Sequence, residues 1–260
     1  SRLLGLPGAD LARIQRWAMQ GGAMLAGVIT HAELGGLARV AAEHAAYLAR
    51  HFASARGDAA LRAESPLLEV LAGAAERGEM PERSALGIAV ILVGAGGEST
   101  ASWIGSAVRL LAERPALQAQ LRAEPALVPA FLEEALRLEP PFTFHYRHVV
   151  RTTQLGGATL PGGARVALLW ASANRDEAVY ERPDALDLAR PHPRDHLGFG
   201  RGVHFCVGAS LARLEARIAI EELLAATRSF ATDAGAPPRH VPSLFVRRLA
   251  HLQLRVEASA

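Results

Sequence analysis

The stretch Phe199-Gly200-Arg201-Gly202-Val203-His204-Phe205-Cys206-Val207-Gly208, continuing into Ala209-Ser210-Leu211-Ala212-Arg213, holds the only cysteine among 260 residues. Gly200 and Gly202 mark a tight turn, because glycine alone accepts a positive φ without strain. Beyond Cys206, Leu211, Leu214, Ile218 and Leu223/Leu224 recur at helical spacing. The thiol therefore stands at a turn that opens a helix. Unpaired N–H groups and the positive end of the helix dipole favour a thiolate at such a place. A thiolate is a soft metal ligand, and one of the axial ligands that hold haem iron. The competing reading is that Cys206, alone in a reducing compartment, is a small buried hydrophobe.

Composition narrows the class. Half of the residues are apolar, 21% are charged and the formal net charge is +2, which describes a globular chain rather than a disordered one. No basic run with interleaved aromatics is present, so nucleic acid is not an expected partner. One cysteine excludes an internal disulfide framework. The run Ala85–Ala95 is too short to span a bilayer, and the first residues lack the charged-then-apolar pattern of a leader. The expectation is a soluble, cytoplasmic protein with no membrane partner, folded as a single domain over residues 1–260.

Along the chain, Ala- and Leu-rich stretches poor in β-branched residues predict helices near Asp10–Ala26, capped by Asp10, then His31–Ala53 and Pro66–Gly78. A long, central helix is expected from Pro81 to about Glu113, stopped by Arg114-Pro115. In its middle lies Gly94-Ala95-Gly96-Gly97-Glu98-Ser99-Thr100. Glycines inside a helix cost about 1 kcal/mol each, so they need a reason. Close approach by a flat ligand is one, and a local bulge is another. A glycine-mediated helix crossing with a solvated Glu98 is the plainer alternative. A phosphate loop is not expected, because no Lys-Ser/Thr follows.

Helices near Ala116–Arg122 and Ala126–Leu138 come next, the second placing Glu134 and Arg137 on one face at i, i+3. After Pro140-Pro141 the character changes. Val149–Thr153 and Arg165–Leu169 read as strands, with turns at Gly156-Gly157 and Pro161-Gly162-Gly163. His145, His148, His192 and His196 lack zinc-like pairing, so no zinc site is expected. Ser243–Val246 and Leu252–Val256 read as a terminal hairpin. The fold class is mainly α with a minor β portion.

These motifs, in this order, resemble the cytochrome P450 superfamily of haem-thiolate monooxygenases, especially its soluble bacterial type. Phe199-x-x-Gly202-x-x-x-Cys206-x-Gly208 matches the family's haem-binding loop, and Ala95-Gly96-Gly97-Glu98-Ser99-Thr100 its oxygen-activation segment. Glu134-x-x-Arg137 matches a buried structural pair, and Arg190 stands where the family places a second arginine. Leu4-Gly5-Leu6-Pro7-Gly8-Ala9-Asp10 resembles a segment well inside family members. The match thus runs over the family's later two-thirds, with an N-terminal third lacking.

The resemblance implies a P450-like helical fold with a long central helix and small sheets. It implies haem b as cofactor, with Cys206 as the iron ligand. Glu98 and Ser99 fall at the catalytic proton-relay positions, serine replacing the usual threonine. Arg147, Phe199, His204, Gly208 and Gly96 fall at cofactor-binding positions, Arg147 and His204 as propionate contacts. The implied partners are a small apolar organic substrate and a ferredoxin or flavoprotein electron donor. Arg201, Arg213 and Arg217 would form part of a basic surface for that donor. Leu244, Phe245 and Val246 are either pocket contacts or core. A truncated or non-oxygenating haem-binding module is the alternative function.

Overall fold

The computed structural model describes residues 2–19 and 29–259. The later part of the helix expected over 10–26 lies outside the described residues. The chain divides into two compact units, Ser1–Glu98 and Ser99–Ala260. It is mainly α with small two-stranded sheets, as expected.

The first unit holds α1 (Leu11–Ala18), α2 (His31–Gly57), α3 (Ala59–Ala63), α4 (Pro66–Glu76) and the start of α5 (Glu82–Ala112). Local sequence sets most of the helix starts. Thr30 and Glu33 form a reciprocal capping box ahead of α2, which satisfies two otherwise unpaired N–H groups. Asp58 Oδ1 accepts from the Leu61 N–H at 3.0 Å and caps α3. Pro66 occupies the first turn of α4, where its missing N–H costs nothing. Asp10 precedes α1 but makes no side-chain cap. Its Oδ2 instead accepts from the Tyr47 hydroxyl at 2.8 Å, which ties α1 to α2. Trp17 stacks on His44 with centroids 4.9 Å apart, above a core that includes Phe52, Leu68, Leu71, Ala85 and Ala89.

Helix α5 spans 31 residues, about 46 Å at 1.5 Å per residue. It runs through Gly94–Gly97 without a break, so the bulge envisaged for these glycines does not form. Gly97 is a close crossing, since a Cβ there would meet Ala18 Cβ at 2.5 Å. By length and composition the whole helix is apolar enough to cross a membrane, which the shorter run Ala85–Ala95 did not suggest.

The second unit holds the rest of α5, then α6 (Pro115–Ala123), α7 (Val128–Leu138), α8 (Trp170–Ala173) and α9 (Ala209–Ala226). Trp103, Leu111, Leu121, Phe131, Leu136, Ile220 and Phe230 make its core. Helices α7 and α9 pack on each other, and Trp103 Nε1 donates to the Leu132 carbonyl at 3.1 Å.

The strands depart from the local reading. Strand β1 is His145–His148, paired antiparallel with β4 (Arg165–Leu168), while β2 (Thr153–Leu155) and β3 (Ala158–Leu160) form their own hairpin. Val149–Thr152, expected as strand, is a turn region. Register with β4 places the pairing four residues earlier, and Val149 closes it by accepting from the Gly163 N–H at 2.8 Å. Gly156 and Gly157, both at positive φ, make the tight β2–β3 connection as their sequence indicated.

The terminal hairpin does not form. Strand β8 (Leu254–Ala258) pairs with β5 (Thr227–Thr232), and β7 (Leu249–His251) pairs with β6 (Arg239–His240). Val246 makes only a bridge to Phe142. Gln118 on α6 secures the inner edge of β5. Its Nε2 donates to the Phe230 carbonyl at 2.7 Å and to the Leu111 carbonyl at 2.9 Å, and its Oε1 accepts from the Phe230 N–H at 3.3 Å.

Gln118→Leu strands the buried Phe230 N–H and carbonyl, at about 1–3 kcal/mol for each group left unpaired, while the Leu111 carbonyl keeps the Arg114 N–H. Urea denaturation of the variant is expected to show a lower midpoint with an unchanged slope.

Candidate functional site

The cysteine loop is built from backbone turns. The Gly200 N–H donates to the Leu197 carbonyl at 2.9 Å, the Phe205 N–H to Gly202 at 3.0 Å, and the Cys206 N–H to Phe199 at 2.9 Å. Gly200 and Gly202 sit at φ 70° and 72°, where a side chain would be strained. The chain then enters α9, with Gly208 immediately before it. A Cβ on Gly208 would lie 3.8 Å from Cys206 Sγ. Phe199, Cys206 and Gly208 are thus brought together within one loop.

Cys206 is exposed, so it is not a buried hydrophobe. Around it Val203 and Val207 are 97% and 90% exposed, and Phe205 is half-exposed. His204 lies in the same short turn and is exposed. Among the described residues no three His, Cys, Asp or Glu side chains gather as a metal cage. A single soft donor beside apolar surface therefore fits a metal that brings its other ligands with it, as haem does.

Arg147 is on β1, half-buried, with Nη1 donating to the Tyr146 carbonyl at 2.9 Å. In the first unit, Gly96 faces open space where a Cβ would touch nothing within 4 Å. Glu98 closes that unit on α5 and is buried, which removes the reading of it as a solvated helix residue. Ser99 opens the second unit and is half-buried. Leu244 is solvent-facing, whereas Phe245 and Val246 are buried. Phe245 stacks on Phe142 at 4.9 Å, so for these two residues core packing is the structural role.

Two acidic residues, adjacent on α7, organise what surrounds the loop. Glu134 Oε1 accepts from Arg137 Nε at 2.6 Å and Arg190 Nε at 3.0 Å. Its Oε2 accepts from Arg137 Nη2 at 2.9 Å and the Asp187 N–H at 3.0 Å. The arginines then bind an irregular segment: Arg137 donates to the carbonyls of Asn174, Pro183 and Ala185, and Arg190 to those of Glu181 and Ala185. Burial by itself would raise the Glu134 pKa, but these donors outweigh it and hold the carboxyl below its usual range.

Glu133 forms a second centre. It accepts from Arg213 Nε at 2.6 Å and Nη2 at 3.0 Å, and from His196 Nε2 at 2.9 Å. Burial pushes its pKa up, and the His196 and Arg213 hydrogen bonds bring it below the usual value. Arg213 therefore does not belong to an open donor-docking surface. Its charge is committed to Glu133, and its guanidinium lies 4.6 Å from the Phe199 ring centroid. Asn174, buried, accepts from the Leu197 N–H at 2.7 Å and anchors the start of the cysteine loop. Sequence reasoning assigned no role to Glu133 or Asn174, and weighed His196 only as a zinc ligand, which it excluded. The doubled acid at Glu133-Glu134 was the one local signal for the first.

Comparisons with known proteins identify the family. The family model described as Cytochrome P450 matches residues 38–247. Cytochrome P450 144 of Mycobacterium tuberculosis is 43% identical over 258 residues, covering 99% of this chain and 58% of that protein. Mycinamicin IV hydroxylase/epoxidase of Micromonospora griseorubida is 36% identical over 229 residues, covering 85% and 54% respectively. Among solved structures, cytochrome P450 CREJ in complex with (4-ethylphenyl) dihydrogen phosphate superposes with a TM-score of 0.91 at 28% identity, over 99% of this chain and 62% of that one. The chain spans somewhat over half the length of the curated relatives it matches.

Arg137→Leu leaves Glu134 buried without its main partner, and a loss of about 3–5 kcal/mol is expected in denaturant titrations. The acid limb follows from the same carboxylates. Glu133 and Glu134 have folded pKa values below their ordinary 4.5, so the stability they contribute is complete above that value and is lost as pH falls through the folded pKa values. Urea midpoints of the wild-type protein measured down from pH about 5 should fall with acid, and less steeply in Glu134→Gln.

Proposed function

Because the chain belongs to the cytochrome P450 family, we propose that it is the cysteine-bearing part of a haem-thiolate monooxygenase, one that inserts a single oxygen atom of O2 into a small apolar organic substrate. The observation that carries the reading is the lone, exposed Cys206 thiol in a glycine-shaped loop whose backbone is pinned to Phe199. Haem b, when bound, supplies the reductive activation of dioxygen, and the thiolate's electron donation favours O–O cleavage.

This chain's residues hold, orient and move protons. Cys206 Sγ is the metal ligand. Phe199 and Gly208 shape room for the cofactor beside Cys206, Gly96 stands at the family's cofactor-binding position on α5 of the first unit, and Arg147 and His204 supply cationic or hydrogen-bonding partners for its carboxylates. The Glu98 carboxylate and the Ser99 hydroxyl act as a positioned proton relay of the general-acid kind. Serine keeps the hydroxyl a relay needs but lacks the methyl that restricts threonine's χ1. Electrons come from a ferredoxin or flavoprotein, with Arg201 and Arg217, both exposed, on the acceptor surface and Arg213 excluded from it. We place the protein in the cytoplasm, as one haem-thiolate domain.

A second reading is a haem-binding or structural module that does not oxygenate. It draws on the same exposed Cys206 loop, which can hold haem whether or not the Glu98–Ser99 relay operates.

The test is to express residues 1–260, add haemin, reduce with dithionite and record the carbon monoxide spectrum. A strongly red-shifted Soret band that disappears in Cys206→Ala is the expected outcome. A band of the histidine or free-haem type overturns thiolate ligation by this chain. A thiolate band without product formation, when electrons are supplied, favours the non-oxygenating module.

A further inference from the structure

The Cys206 backbone is held on both sides: its carbonyl accepts from the Ala209 N–H at 3.3 Å at the start of α9, and its N–H donates back across the loop to the Phe199 carbonyl at 2.9 Å. The position of Phe199 therefore governs the position of the thiol. Its ring lies 6.3 Å from that of Phe205 within the loop itself, and side chains from outside the loop hold it as well. Trp103 meets it edge-on with centroids 5.8 Å apart, the Arg213 guanidinium lies 4.6 Å from its centroid, and the His196 ring lies 6.2 Å away. Trp103 is locked into the core by its own hydrogen bond to Leu132. Arg213 and His196 are both held by a single carboxylate, that of Glu133.

The details make Glu133 a clamp rather than a bystander. It is 4% exposed, and His196 is 5% exposed, so neither bond competes freely with water. Arg213 engages both carboxylate oxygens, the fork geometry that fixes a guanidinium plane. The Gly198 N–H donates to His196 Nδ1 at 3.1 Å. With Nδ1 accepting, the proton sits on Nε2 and is donated to Glu133 Oε2. His196 is thus tied at one nitrogen to α7 and at the other to the cysteine loop. Gly198 leaves no slack: a Cβ there would meet Leu136 Cγ at 2.7 Å and His196 Nδ1 at 3.1 Å.

We propose that Glu133 is the positioning residue of the cysteine loop: by clamping Arg213 and His196 against the Phe199 ring, it fixes the carbonyl that holds the Cys206 backbone. Glu133 touches neither the thiol nor a reacting atom and acts through these two side chains. The inference rests on the reading of Cys206 as the metal ligand only for its consequence, that a loosened loop presents the thiolate to iron less well. The clamp itself is a property of the cofactor-free chain.

The test uses the whole 260-residue chain. Glu133→Gln keeps the size of the side chain and one acceptor but removes the charge that holds the Arg213 fork. Amide hydrogen exchange at Cys206 in the cofactor-free protein should speed up by about tenfold or more, since that N–H is protected by Phe199 through local closure. Gln118→Leu, which removes hydrogen bonds to Leu111 and Phe230 and none to the loop, should leave Cys206 exchange at the wild-type rate. Should Glu133→Gln fail to fold, Arg213→Lys and His196→Gln each remove one arm of the clamp. Faster Cys206 exchange in either supports the proposal. Unchanged exchange in folded Glu133→Gln, or in both substitutes, overturns it, as does equal acceleration in Gln118→Leu.

Loaded with haemin, Glu133→Gln should show a larger share of the non-thiolate carbon monoxide band than wild type. If wild type shows no thiolate band, the ligation reading fails while the exchange data still decide the clamp.

Discussion

A buried carboxylate shared by two guanidinium groups governs the second unit. Glu134 cannot remain ionised out of water unless each oxygen is occupied, and Arg137, Arg190 and the Asp187 N–H occupy them. The arginines face the converse demand, because their remaining N–H groups need acceptors. They find them in the carbonyls of residues 174 to 185, a segment with no regular ladder of its own. Backbone groups that a helix or sheet would pair internally are here paired by side chains. Arg182 and His192, non-glycine residues at positive φ, are held in sparsely populated conformations within or beside this segment.

The neighbouring position on α7 faces a different part of the fold. Successive helical residues point about 100° apart, so Glu133 and Glu134 reach different partners from one rigid turn. Glu134 binds the irregular segment, and Glu133 binds His196 and Arg213 beside the cysteine loop. Asn174 links the two centres: its carbonyl accepts from Arg137, and its side-chain oxygen accepts from Leu197. The thiol loop is thereby supported by a preorganised shell even though the loop itself is solvent-exposed, an arrangement suited to holding a ligand atom in a fixed place.

The helices were legible because their determinants are local. Ala and Leu content, a proline in the first turn and the Arg114-Pro115 stop fix α4, α5 and α6 to within a few residues. The cysteine loop was legible because glycines with positive φ and a single thiol leave few other readings. The strands were less so. Strand β8 pairs with β5, more than twenty residues back, and β5 emerges directly from α9. A local alternation pattern predicts that a strand exists, but register and partner depend on distant packing. Phe230, buried between Gln118 and the core, settles that partner, and no neighbouring residue announces it.

The same division holds at the site. By itself the amino-acid sequence determined the thiol, the glycines that shape its turn, the helix that follows and the i, i+3 pairing of Glu134 with Arg137, because each is set within a few residues of chain. Only the tertiary structure decided that Cys206 is exposed, that Glu98 is buried, and that Arg213 is bound to Glu133 instead of facing solvent. Those outcomes depend on which surfaces lose water and which charges meet across 80 residues of chain. Charge in a sequence carries a sign but not a partner, and desolvation makes the partner decisive.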